Sequence, residues 1–222
     1  MTTLSRVPIN PQLRQGRRLL TNPQAMHAAV LSCFPQDTHT DTSRVLWRID
    51  QVEKAFTLYI VGPEIPDLRV ITEQAGWPSR PGQSTDYVPF LDRLMAGQEW
   101  RFRLSANPVK SIPSMDGSRG KVVPHVTREQ QVNWLVTRAA VHGFELLGDT
   151  GDDAKHHVTV TRSEDLRFRR GESTRPVSLR RAQFDGALRV TDAEQLRASL
   201  QQGIGRARAY GCGLLTLAPL RS

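Results

Sequence analysis

The chain is poor in cysteine and lysine and contains no long apolar run. Cys33 and Cys212 are its only cysteines, too few for a disulfide framework and too isolated for a zinc site built from CxxC pairs. The six histidines form no HExxH motif, and the adjacent His156 and His157 would project to opposite faces of a strand. No bound metal is expected. No stretch of 18 apolar residues is present to cross a membrane as a helix. The opening MTTLSRVPINPQLRQGRR holds no hydrophobic segment before a small-residue cleavage site, so the expectation is a cytoplasmic protein with no membrane partner.

Only Lys54, Lys110, Lys121 and Lys155 are lysines, so arginine supplies nearly all of the 30 cations. Against 22 acids they leave a formal charge of +8. A surplus carried by arginine, whose planar fork grips phosphate bidentately, points to a polyanion and first to nucleic acid. A codon bias toward arginine gives the same composition. With 222 residues, 38% of them hydrophobic and 23% charged, the chain is long enough for one or two packed domains.

Leu4 to Ile9 reads as a strand, followed by a basic connector with Arg14, Arg17 and Arg18. A helix then starts at TNPQAMH, with Asn22 as cap, Pro23 at its first position and Met26, Val30 and Phe34 facing inward. Arg44 to Ile49 and Phe56 to Val61 read as strands. Pro63, Pro66, Pro78, Pro81 and Pro89 interrupt regular structure and suggest the end of a domain near residue 95.

A second domain, 96–222, opens on the alternating strand EWRFRL. Thr127 and Gln130 make a capping box for a helix whose stripe is Val132, Leu135, Val136, Ala139 and Ala140, ending at Gly143. Strand pieces follow at His157 to Thr161, Leu166 to Arg169 and Val177 to Val190. Asp192 then caps a helix that stops at Gly203. The element order predicts an α+β protein of two tandem ferredoxin-like β-α-β-β-α-β domains, 1–95 and 96–222.

Three features could carry chemistry. GIGRARAYGCGLLTLAP sets Arg206 and Arg208 among four glycines. It is neither a Walker nor a Rossmann motif, and it is either a cradle for phosphates or an ordinary connector. Between Arg162 and Arg181 seven arginines face three acids. This is either a strand pair laid on phosphates, with Arg167 and Arg169 on one face and Arg170 on the other, or a solvated basic face. His27 either exchanges a proton with a bound phosphodiester or rests on the helix surface without a task.

Taken together, NPQAMH, VLWRID, RFRLSANPVK, the NWL-containing helix before GFELL, and the terminal GIGRARAYGCGLLTLAP resemble the CasE family. These are type I-E CRISPR endoribonucleases that process precursor CRISPR RNA within Cascade. The resemblance spans essentially the whole chain. It implies RRM-related tandem domains and a cofactor-free cut at the 3′ side of a repeat stem-loop. It also implies retention of the mature crRNA beside other Cascade subunits. By that resemblance His27 is the catalytic histidine. The family's frequent tyrosine three residues earlier is Gln24 here, which can orient a hydroxyl by hydrogen bonding but cannot act as an acid or base. LRFRRGESTR matches the basic hairpin that enters the RNA stem, assigning RNA contact to Arg169 and Arg170. The family lysine beyond that pair is absent, with Gly171 and Glu172 in its place. Arg167, Arg206, Arg208, Arg17 and Arg18 are further phosphate-binding candidates on charge and position. A non-cleaving subunit that binds the RNA hairpin is the alternative.

Overall fold

The computed structural model describes residues 1–35, 44–114, 120–148, 157–169 and 176–220. In the first half, strands β1 (Thr3–Ile9), β2 (Leu46–Val52), β3 (Ala55–Gly62) and β4 (Gln83–Asp86) form an antiparallel sheet in the order β2-β3-β1-β4. Helices α1 (Arg14–Thr21), α2 (Pro23–Leu31) and α3 (Arg69–Ala75) pack with it around a core that includes Val7, Met26, Val30, Leu58 and Ile71. The strand order is that of a ferredoxin-like unit.

The second half repeats the pattern. Strands β5 (Glu99–Ala106), β8 (Phe144–Leu146), β10 (Pro176–Val190) and β11 (Leu215–Pro219) follow the order β11-β5-β10-β8. Strand β9 (Val158–Arg169) pairs with β10 over residues 176–186, beyond the stretch 188–190 that β8 occupies. β8 and β9 thus share the place of one strand. Helices α5 (Arg128–Ala139) and α6 (Ala193–Gln202) cover this sheet through Trp134, Leu135, Leu196 and Leu200. A short helix α4 (Val88–Asp92) joins the halves, and a hairpin of β6 (Val109–Ile112) and β7 (Lys121–Pro124) projects beside α5.

Several local expectations hold for their stated reasons. The Asn22 side chain accepts from the backbone N–H groups of Gln24 and Ala25. The Thr127–Gln130 capping box is formed, and Asp192 accepts from Gln195 N–H.

Others are corrected. The basic connector is the helix α1, held by the burial of Gly16 and Leu19. The proline-rich stretch contains α3, β4 and α4, so it completes the first sheet and does not simply end it. The two strand pieces between 157 and 169 are the single strand β9, carried through its polar middle by pairing with β10. In α5 the buried face is Gln131, Trp134, Leu135 and Ala139. Val132 and Val136 are only partly buried, and Ala140 is exposed.

The halves are joined by a buried ion network. Arg48, 1% exposed, forms a two-pronged bridge to Asp50 and donates to the carbonyls of Arg103 and Leu214 and to the Thr216 hydroxyl. Arg103 in turn contacts Asp50 at 3.3 Å and bridges Asp185. Both cysteine thiols are buried, and burial pushes each up to about 12. Among the described residues no helix is long and apolar enough to cross a membrane.

Candidate nucleic-acid interface and active site

Three elements converge on the glycine-rich segment 203–213. Its short turn, Arg208–Tyr210, packs against α2, the helix that carries His27. Tyr210 also stacks edge-on against Phe168 of β9, with ring centroids 4.7 Å apart. The segment is pinned to the second sheet by the Gly213 N–H to Ser105 carbonyl bond, 2.6 Å, and closed on itself by Ile204 N–H to the Gly213 carbonyl, 2.9 Å. The turn is therefore the wall between the histidine's helix and the end of the basic strand.

Gly211 makes this packing possible. Its φ is 76°, in the left-handed region that favours glycine, and a β-carbon there would stand 2.6 Å from the Trp47 ring. Gly211→Ala is expected to cost about 1–3 kcal/mol through backbone strain and the ring clash. A lowered urea midpoint with an unchanged slope would show it.

His27 is the fifth residue of α2, half-buried, and Gln24 lies three residues earlier on the same side of the helix. Arg17 and Arg18 are exposed on the neighbouring helix α1, and Arg17 Nη1 donates to the carbonyls of Pro11 and Gln12. Arg206 is exposed. Arg208 is half-buried, and its Nη2 donates to the Gly203 carbonyl, so this guanidinium braces the turn. Burial, then the nearby Arg44, holds its pKa below the usual arginine value. His142 shares a 2.8 Å hydrogen bond with the Ser199 hydroxyl at the foot of α6.

The basic strand pair is less basic than its composition. Arg162 and Arg181 both bridge Glu164, and Arg180 forms a two-pronged bridge to Asp165. Cross-strand register sets Asp165 against Arg180 and Glu164 against Arg181. These three arginines share two carboxylates, so most of their charge is offset within the sheet. Arg167 and Arg169 are exposed at the far end of β9 and have no acid within ion-pair distance among the described residues. Arg170 and Arg175 lie outside the described residues, as does His156. Among the described residues no three His, Cys, Asp or Glu side chains stand close enough to share a metal ion.

Two tandem ferredoxin-like sheets, with the histidine's helix packed on a glycine-rich turn and arginines at the end of β9 that face no acid among the described residues, define the architecture and its candidate site. The sequence comparison makes this specific. The family model for CRISPR associated protein matches residues 3–219, and the chain belongs to that family. It is 33% identical over 224 aligned residues to the CRISPR-associated endoribonuclease Cse3 of Thermus thermophilus, covering 97% of this chain and 99% of the relative. It is 32% identical over 135 residues to the CRISPR system Cascade subunit CasE of Escherichia coli, covering 58% and 62% of the two chains. The solved structure of Thermus thermophilus Cse3 bound to an RNA representing a pre-cleavage complex superposes with a TM-score of 0.80. There the identity is 30%, and 98% of this chain and 99% of that chain are covered.

Proposed function

We propose that this chain is a metal-independent endoribonuclease that binds the stem-loop of a CRISPR repeat, cuts precursor CRISPR RNA at the 3′ side of the hairpin, and stays on the mature crRNA as a cytoplasmic Cascade subunit. The observation that carries the reading is the convergence of the His27 helix, the free end of β9 and the glycine-rich turn. The RNA complex of the Thermus relative supports it. The ribose 2′-OH attacks the adjacent phosphorus, forming the P–O2′ bond and breaking the P–O5′ bond. A 2′,3′-cyclic phosphate and a 5′-hydroxyl result. His27 moves a proton at one of these oxygens, and arginine side chains offset charge on the phosphorane. Gln24 orients the hydroxyl. The division into 1–95, which carries His27, and 96–222, which carries the basic hairpin and glycine-rich loop, fits this reading because each part supplies its own sheet.

The test is incubation of the labelled repeat hairpin with the protein in EDTA, followed by analysis of product ends. Cyclic-phosphate product is expected, and an RNA with a single 2′-deoxy sugar at the cut is expected to bind without cleavage. Tight binding of the all-ribose hairpin with no product would favour a non-cleaving subunit, the reading that Gln24 in place of tyrosine suggests.

Arg167 and Arg169 take phosphates of the stem in this reading, with Arg170, Arg206, Arg208, Arg17 and Arg18 as further contacts. Arg169→Ala is expected to weaken binding and to reduce the slope of log affinity against log salt by about one. Arg180→Ala removes a cation already bridged to Asp165 and is expected to change the slope by less than half as much. Titrations at several salt concentrations make the comparison.

A further inference from the structure

A cavity of about 610 Å³ lies between α5, strand β6 and the glycine-rich segment, within the size range of small-ligand sites. Lys110, Arg138 and Arg206 line it, and among the described residues no acid does. None of the three forms an ion pair among the described residues, in contrast to Arg162, Arg180, Arg181 and Arg189. The uncompensated charge has a local effect: burial first, then Lys110 and Arg138, holds His125 below the ordinary histidine value.

The lining also holds polar groups without partners. Trp134 is 3% exposed, and its Nε1 has no acceptor. The Asn107 Oδ1 is buried with no donor. Both atoms are closed off from solvent, so an occupant of the cavity meets Lys110, Arg138, Arg206 and Asn133 and not these two. The Arg138 guanidinium lies 4.5 Å above the Trp134 ring, and Phe184 stacks against that ring as well, so the indole is covered and the flat cation open to a base is Arg138 itself. Asn133 adds an exposed amide at the rim.

The position fits a strand of RNA. One wall, Gly205 and Arg206, belongs to the same segment whose turn supports α2 and His27. We propose that this cavity binds a single-stranded nucleotide of the RNA outside the stem, its phosphate held by Lys110 and Arg206 and its base stacked on the Arg138 guanidinium beside the Asn133 amide. The inference rests on the RNA-binding reading above and adds a second site to it.

Binding anisotropy with three RNAs tests it: the bare stem-loop, the stem-loop with single-stranded flanks on both sides, and the flanks alone. The proteins are wild type, Asn133→Ala and Arg138→Gln, with thermal melts to confirm folding; Asn133 is exposed and its truncation leaves the core intact. The flanks are expected to tighten wild-type binding about tenfold, the effect of one stacked base. Both variants are expected to lose that gain while matching wild type on the bare stem-loop. The inference is overturned if flanks add nothing to wild type, if the variants keep the full gain, or if they lose affinity equally for both hairpins. Should no protein bind the stem-loop, the proposed function fails by itself. The flanks alone then decide the inference: binding that needs Asn133 and Arg138 supports it, and no binding overturns it. A free nucleotide as occupant would appear as adenosine monophosphate binding, abolished by Arg138→Gln, with flanks leaving RNA affinity unchanged; that result also overturns it.

Discussion

His27→Ala is expected to slow cleavage of the repeat hairpin by about 10²–10⁴-fold, the usual contribution of a positioned general acid or base, while leaving hairpin affinity within a factor of about two. The asymmetry follows from where the residue sits. The imidazole is half-buried on α2, and the helix is anchored by other residues: the Asn22 cap, Pro23 at its first position and the buried Met26 and Val30. Truncating the ring therefore leaves the helix and the turn against it in place, and the arginines proposed to hold the RNA lie on other elements. Single-turnover cleavage and equilibrium binding on the same preparations make the comparison. Equal loss of both would assign His27 to binding. A cleavage rate unchanged in the variant would remove it from the chemistry.

Arg48→Met is expected to destabilise the protein by about 3–5 kcal/mol, which for a chain of this size lowers the melting temperature by roughly 6–20 °C. The variant keeps most of the volume but deletes every donor that Arg48 supplies. Asp50 loses its two-pronged partner, and the carbonyls of Arg103 and Leu214 lose a hydrogen bond inside the contact between the sheets. Arg103, at 3.3 Å, is left as the remaining cation beside Asp50. Scanning calorimetry of wild type and variant reads the difference directly.

The same network responds to acid. Burial opposes ionisation of Asp185, but hydrogen bonds from Arg103, Thr161 and Gln183 hold its carboxyl below the usual range. A depressed carboxylate contributes stability that is present above its unfolded value, about 3.9, and is lost as pH falls toward the folded one.

Legibility from sequence divides along physical lines. Elements specified by their own residues could be read: α2 from its Asn22–Pro23 start, α5 from its capping box, and β5 from the alternation of Trp100, Phe102 and Leu104 with arginines. Elements that depend on distant partners could not. Helix α1 buries only Gly16 and Leu19, too narrow a stripe to signal a helix. Strand β4 is exposed throughout and exists through its pairing with β1. The polar run Ser163, Glu164 and Asp165 broke the pattern of β9, yet two of the three side chains serve cross-strand ion pairs.

The candidate site shows the same division. His27 was visible within a motif, and the charge of the 162–181 segment was visible as a sum. Which arginines remain free was not, because neutralisation is set by register across two strands. The cavity beside Trp134 was missed for a related reason: its cations come from β6, α5 and the glycine-rich segment, far apart along the chain. A tryptophan one position before Leu135 was the available hint.

The contact between Gly211 and Trp47 bears on how the protein is made. A ribosome has delivered every strand of the first sheet more than a hundred residues before Gly211 emerges. During that interval the Trp47 ring and the Arg48 guanidinium lack their cover, and α2 stands without the turn that backs it. The nascent half has the complete strand order of its fold but a raw apolar face, and it waits on its second half in time as well as in space. The packing of the half that bears His27 is thus completed only once residues 211–216 have emerged.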